Sequence, residues 1–307
     1  MINMDFVRDL EEMARFSLKE KKYSEEDLSK FSDNLLLAYF KDEQLSITAK
    51  TRRVVYSNQF TCPEDYKEAL KEFVNKVEKG EDLSPFMSTS VRRYRKNNDD
   101  LLNDWGIHHF HLTNEFQENG IAKRSNYLLF TCCDENTMYF VQVYPHQTEN
   151  FSRKELLVLI KDNWPHLLRK LDEGKLCEEI SDEDRYEIRR SHCMIPTEID
   201  GGIYFPRGGG YASDGSSINA VIKYNSCLAQ ILRLERIFQD NYSAIMDFVQ
   251  SCLGMKISRH WQLKLIEMNT PFFVILELTN HIIMRAQLEN NSLKFSKIIL
   301  VTPHSDV

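Results

Sequence analysis

The residues best suited to chemistry lie in one short stretch, Trp105-Gly106-Ile107-His108-His109-Phe110-His111-Leu112-Thr113, which places three of nine histidines in four positions. A fourth, His146, ends a later apolar run, MYFVQVYPH. Imidazole titrates near neutrality, so a cluster of rings can ligate a metal, move protons as acid and base, or satisfy buried polar contacts. Alternate residues of a strand share a face. On that parity His109, His111 and Thr113 point one way, and His108, Phe110 and Leu112 the other. Gln142, Tyr144 and His146 likewise oppose Tyr139, Val141 and Val143. One sheet would then gather His109, His111, Tyr144 and His146 on a polar face and turn Phe110, Leu112, Val141 and Val143 to the core.

A zinc site would need three ligands with carboxylate or thiolate support. Cys132 and Cys133 lie between the two histidine runs, but adjacent strand residues face opposite ways, and the chain has no CxxC and no HExxH. No metal and no cofactor are expected. Metal-independent cleavage of an RNA phosphodiester fits better: it needs a base for the 2′-hydroxyl, an acid for the leaving 5′-oxygen and a cation against the phosphorane charge. His109 or His111 with His146 supplies base and acid, Arg124 the cation, and Tyr144 a further proton donor.

The elements around these residues follow from periodicity and caps. Residues 3–20 and 24–40 have helical spacing, the second opening on Ser24-Glu25-Glu26-Asp27. Residues 45–57 are strand-like, and Pro63 starts a helix over 64–79 closed by Lys79-Gly80. Three β-runs follow between 106 and 146, the last two joined by a turn at Asp134-Glu135-Asn136. A helix over 152–171 is capped by Ser152 and interrupted by Asn163-Trp164-Pro165, and a short helix over 181–190 opens on Ser181. Residues 219–251 are helical, and 261–301 alternate as a meander of four strands. The expected class is α+β: a helical N-terminal region (1–95), a small antiparallel central sheet with its following helix (96–175), and a C-terminal helix plus antiparallel meander (176–307).

A helical segment, a strand, Arg124-x-x-x-Leu128-Leu129-Phe130, and a strand ending in His146 together resemble the RelE/HigB/ParE-type toxins over roughly residues 64–150. Members that cut mRNA carry arginine on a middle strand and histidine or lysine at the end of the last. The resemblance implies those roles for Arg124 and His146, although the family's basic cluster and arginine-rich last strand are missing. His111-Leu112-Thr113 and His146-Gln147-Thr148 resemble the His-x-Thr pair of 2H phosphoesterases, which sits further apart and in two repeats there. WGIHHFHL, RSNYLLF, VYPH and NWP also resemble a pattern recurring among uncharacterised bacterial proteins, from which no activity follows.

A second candidate is Arg207-Gly208-Gly209-Gly210-Tyr211 leading to Ser213-Asp214-Gly215-Ser216-Ser217, within nineteen residues that hold six of the eleven glycines. Consecutive glycines can present N–H groups to an anion. Arg207, Gly208, Gly209, Gly210, Ser216 and Ser217 would form a nucleotide, phosphate or partner site at the start of the 219–251 helix; the alternative is a demanding structural turn. No Walker lysine follows the glycines. Basic clusters at Arg92, Arg93, Arg95 and Lys96 around Tyr94, and at Lys50, Arg52 and Arg53, are either solvated surface or a backbone-tracking groove.

At 307 residues, 42% hydrophobic and 28% charged, the composition is that of a soluble globular chain. Apolar runs such as PFFVILEL (271–278) are too short to span a bilayer, so no membrane partner is expected. Seven cysteines without framework spacing, and an N-terminus lacking a signal-peptide layout, fit a reduced cytoplasm. A net charge of −7 excludes non-specific coating of nucleic acid and leaves a local cleft open. The expected function is a metal-independent endoribonuclease-type toxin or phage-defence effector acting on RNA. The alternative is a non-catalytic subunit of a defence or toxin–antitoxin system that binds a nucleotide or protein partner, such as an antitoxin, through the glycine loop.

Overall fold

The computed structural model describes residues 1–21, 23–31, 34–87, 99–171, 176, 178, 180–289 and 292–301. The Arg92–Lys96 cluster lies outside the described residues. In chain order the elements are β1 (Ile2–Asn3), α1 (Phe6–Glu20), α2 (Glu25–Lys30), α3 (Leu35–Leu45), β2 (Arg53–Tyr56), α4 (Lys67–Lys79), α5 (Asp100–Trp105), β3 (His108–His111), β4 (Tyr127–Cys133), β5 (Thr137–Pro145) and α6 (Lys154–Asn163). Then come β6 (Arg169–Lys170), α7 (Asp182–Arg190), β7 (Thr197–Ile199), β8 (Gly202–Phe205), α8 (Ile218–Asp240), α9 (Tyr242–Leu253), β9 (Trp261–Asn269), β10 (Phe272–Glu277), β11 (Ile282–Glu289) and β12 (Ser292–Leu300). This is an α+β fold with N-terminal helices and a C-terminal strand meander, as the periodicity predicts. None of the described helices is long and apolar enough to cross a membrane.

The chain divides into two compact units, residues 1–39 with 223–307, and residues 40–222. That division differs from the three consecutive regions drawn from the sequence, because the first and last segments share a unit. There β1 pairs in parallel with β9, and β9 to β12 continue as an antiparallel meander. Asp9 of α1 accepts the Leu265 N–H at 2.7 Å, beside the bulge in the β9–β10 ladder. The helix expected over 24–40 is divided: Ser24 and Asp27 form a capping box on α2, and Asn34 accepts the Leu37 N–H to open α3.

In the unit formed by residues 40–222 the central sheet has the order β2-β5-β4-β3. β3, β4 and β5 are antiparallel, while β2, the described strand of the 45–57 segment, pairs with β5 in parallel. The sheet is buried on both sides. Phe110, Leu129, Met138, Phe140 and Val143 share a core with Phe73 and Val77 of α4. Leu128, Phe130, Cys132, Tyr139 and Val141 share a second core with Leu156, Leu157 and Ile160 of α6. The expected polar face is therefore corrected: the histidines lie at the end of an apolar face. Parity on β5 is also corrected, because the register passes from Phe130–Gln142 to Thr131–Phe140 and skips Val141. That bulge puts Tyr139 and Val141 on the face of Tyr144, opposite Val143.

α6 ends where Pro165 requires, and a 3-10 turn over Pro165–Leu167 leads into β6 instead of continuing to 171. Its cap also departs from expectation. Arg153 occupies the cap position, and the Lys154 N–H is taken by Asp182 of α7 at 3.0 Å.

Candidate functional site

β3 fixes two of the histidines. His109 stands opposite Phe130, and His111 opposite Leu128, which in turn faces Tyr144. His146, just past β5, donates its backbone N–H to the Asn126 carbonyl at 2.7 Å, which pins the ends of β4 and β5 together. The parity argument thus brings His109, His111, Tyr144 and His146 to one region. The His111 and His146 rings stack with centroids 5.5 Å apart and planes inclined by 8°. Phe151 meets both His109 and His146 edge-on, at 5.0 and 6.0 Å.

The three rings differ in what holds their Nδ1 atoms. His111 Nδ1 accepts the Ser125 backbone N–H at 3.2 Å. His146 Nδ1 accepts from the Arg124 guanidinium at 3.2 Å. An imidazole whose Nδ1 is an acceptor carries its proton on Nε2 when neutral, so both rings are set as Nε2–H donors. His109 is the opposite case: its Nδ1 lies 3.1 Å from Asp99 Oδ2, though poorly aligned for an ideal hydrogen bond. Its Nε2 has no hydrogen-bond partner among the described residues.

Burial and neighbouring charge disfavour the protonated forms of His108, His111 and His146. Burial, then the neighbouring His146, His109 and Arg124, brings His111 down to about 4. Burial and then Arg124 lower His146. His108, on the opposite face and stacked on Phe110, is lowered to about 4 by burial against the opposing pull of Asp99. Burial also pushes the Asp99 carboxyl upward, but His109, the Leu102 N–H and His108 outweigh it and hold the group below the ordinary carboxylate range. Burial and then Glu155 raise the Tyr144 phenol, so it remains a proton carrier at neutral pH. Arg124 is exposed, and His146 is half-buried beside it. The pair therefore forms the outer edge of a cluster in which His111 is only 5% exposed.

The glycine loop takes a different part. The Gly208 and Gly210 N–H groups, both at 2.8 Å, go to the carbonyls of Asp104 and Asn103 on α5. Tyr211 donates to the Asp100 carbonyl at 2.7 Å, and Asn219 donates to the Gly208 carbonyl at 2.7 Å. Gly209 and Gly210 have φ of +89° and +87°. Ser216 and Ser217 are buried, donating to Asp214 and Gln44. Arg207 Nη2 donates to the Cys133 carbonyl at 3.3 Å. Much of the loop's hydrogen-bonding capacity is thus spent on clasping α5, the helix whose cap is Asp99 and whose exit is Trp105-Gly106.

Sequence reasoning misses four residues here: Asp99, Ser125, Phe151 and Arg189. Asp99 carries a readable signal, a capping acid two positions before Leu101-Leu102. Arg189 does not. It reaches from α7 to Asp104 at 2.8 Å, with both side chains 4% exposed, and also donates to the Phe151 carbonyl. Cys132 and Cys133 face opposite cores, and no group of three metal-ligating side chains is arranged for an ion among the described residues. Comparison of the chain with protein-family models, curated proteins and solved structures finds no match.

Proposed function

We propose that the histidine cluster is an acid–base site for metal-independent cleavage of RNA phosphodiesters, the activity of a cytoplasmic endoribonuclease toxin or phage-defence effector. The observation that carries this reading is the convergence of His109, His111 and His146 with the exposed Arg124 at the cluster's edge. A phosphate at that edge meets the guanidinium first. Its negative charge also favours the protonated form of His146 against burial and Arg124, with the guanidinium turning from Nδ1, which carries a proton in that form, to the phosphate.

The step balances on these groups. His109 Nε2 takes the 2′-hydroxyl proton as the 2′-oxygen bonds to phosphorus. Arg124 and the His111 Nε2–H stabilise the phosphorane oxygens, and protonated His146 gives its proton to the departing 5′-oxygen. The products are a 2′,3′-cyclic phosphate and a 5′-hydroxyl. Tyr144 remains a neutral donor behind the rings. The acidic balance of the chain favours a structured or ribosome-held RNA over a long free one, since attraction to phosphate is local. An antitoxin-like protein would be the natural restraint on such an activity. The glycine loop lends less support to a nucleotide-binding subunit, because its Gly208 and Gly210 amides already bond to α5.

The test expresses wild type, His111→Ala and His146→Ala in one bacterial host, with folding confirmed by circular dichroism. Growth arrest with RNA fragments ending in cyclic phosphate is expected for wild type. Loss of one acid or base group lowers the rate by about 10²–10⁴-fold. Intact RNA in every strain would sink the reading.

A further inference from the structure

Asp99 divides its carboxylate between two tasks. Oδ1 accepts the N–H groups of Leu101 and Leu102 at 3.1 and 3.0 Å, which caps α5. Oδ2 lies 3.1 Å from His109 Nδ1, with the two side chains 6% and 9% exposed. The other two rings of the cluster have donors at Nδ1: the Ser125 N–H for His111 and Arg124 for His146. Among these rings, His109 has an anion in that place.

We propose that Asp99 is the positioning residue of the site, holding His109 as the Nδ1–H tautomer and leaving its Nε2 lone pair as the base. The proposal rests on reading the cluster as an acid–base site, but the tautomer can be measured without any activity. A buried carboxylate beside Nδ1 is the arrangement that keeps the imidazole of a hydrolytic triad competent as a base; here Oδ2 stands 3.1 Å from Nδ1, within ion-pair distance though not aligned as a hydrogen bond. It also explains how neighbouring histidines divide the work: backbone and guanidinium donors make two of them Nε2–H donors, and one carboxylate makes the third an acceptor. Asp99 touches neither substrate nor reacting atoms; it acts through His109.

The α5 cap makes the substitution Asp99→Asn informative. Asparagine caps a helix as well as aspartate does. For the cap to persist, its oxygen must face Leu101 and Leu102, which places the amide N–H₂ where Oδ2 was. That group donates to His109 Nδ1 and moves the ring proton to Nε2.

Imidazole ¹⁵N spectra of the full chain at neutral pH, assigned by single histidine substitutions, read this directly. The expected wild-type pattern is a protonated Nδ1 on His109 and a protonated Nε2 on His111 and His146. In Asp99→Asn the His109 pattern inverts while the melting temperature holds, and RNA cleavage falls by about 10⁴-fold, as when a triad carboxylate becomes an amide. Asp99→Ser, which keeps a capping oxygen and removes the anion, gives a second route if the asparagine variant does not fold; His109 then loses its preference for Nδ1–H. A wild-type His109 protonated on Nε2, or a tautomer indifferent to both substitutions, overturns the proposal. An inactive wild type with the expected tautomers would overturn the ribonuclease reading and leave the Asp99–His109 pairing established.

Discussion

His111 combines a committed lone pair with a site that resists charge. Burial first, and then His146, His109 and Arg124, bring it down to about 4, against near 6.5 for an exposed histidine. Between those values the unfolded chain binds more protons than the folded one, so stability rises with pH across that window. The contribution is complete above about pH 6.5 and is lost as pH falls toward 4; allowing for residual screening, the loss at pH 4.5 is on the order of 1–2 kcal/mol. Replacing His111 with glutamine removes this titration while its amide oxygen can still accept the Ser125 N–H. The urea midpoint of His111→Gln should therefore change less between pH 7 and pH 4.5 than that of wild type. Parallel behaviour of the two proteins would mean that His111 already carries its proton in the folded state.

Short elements hold these residues in place, and α5 is the one most tightly specified. A Cβ on Gly208 would meet the Leu102 and Asn103 carbonyl oxygens at 2.2 and 2.3 Å, contacts that backbone cannot relieve locally. Gly201, by contrast, has φ of +73° with nothing within 4 Å of where a Cβ would stand. Gly201→Ala is expected to cost about 1 kcal/mol through backbone conformation alone. Gly208→Ala is expected to cost at least about 3 kcal/mol and to displace the α5 cap from His109. Chemical denaturation compares the two; equal losses would show that the loop does not clasp α5. The same elements show how far sequence reaches. The period-2 pattern of HHFH and VYPH was enough to bring the histidines together, because pleat parity is a local property. It failed at Val141, where the bulge depends on the partner strand, and it could not show that the His face also buries Leu128 and Phe130. Glycine spacing revealed a demanding backbone at 207–217 but not its cause, since α5 lies about a hundred residues earlier in the chain.

At the scale of the whole chain, periodicity marks elements but says nothing of which distant ones meet. Three consecutive regions were the natural division of the sequence, yet Ile2 pairs with Trp261, and the Phe6 N–H donates to Glu235 at 2.6 Å. Lys264 likewise pairs with Glu12 at 3.0 Å. Those contacts require the chain to close over the whole intervening unit. Closure entropy grows only slowly with length, by about 0.6 kcal/mol per doubling, so such an arrangement is thermodynamically accessible although it is invisible to local patterns. The contiguous unit carries no such requirement: both of its cores and all four strands of the central sheet lie between residues 40 and 222. A polypeptide of residues 40–222 is therefore expected to fold alone, with cooperative thermal unfolding and the same histidine ¹⁵N pattern as the full chain. Residues 1–95, the N-terminal region suggested by sequence, should not, because β1 and α1 lose β9 and α4 loses the sheet it packs against. Cooperative unfolding of the 1–95 fragment, or a disordered 40–222 fragment, would show that the two-unit division does not describe how this chain folds.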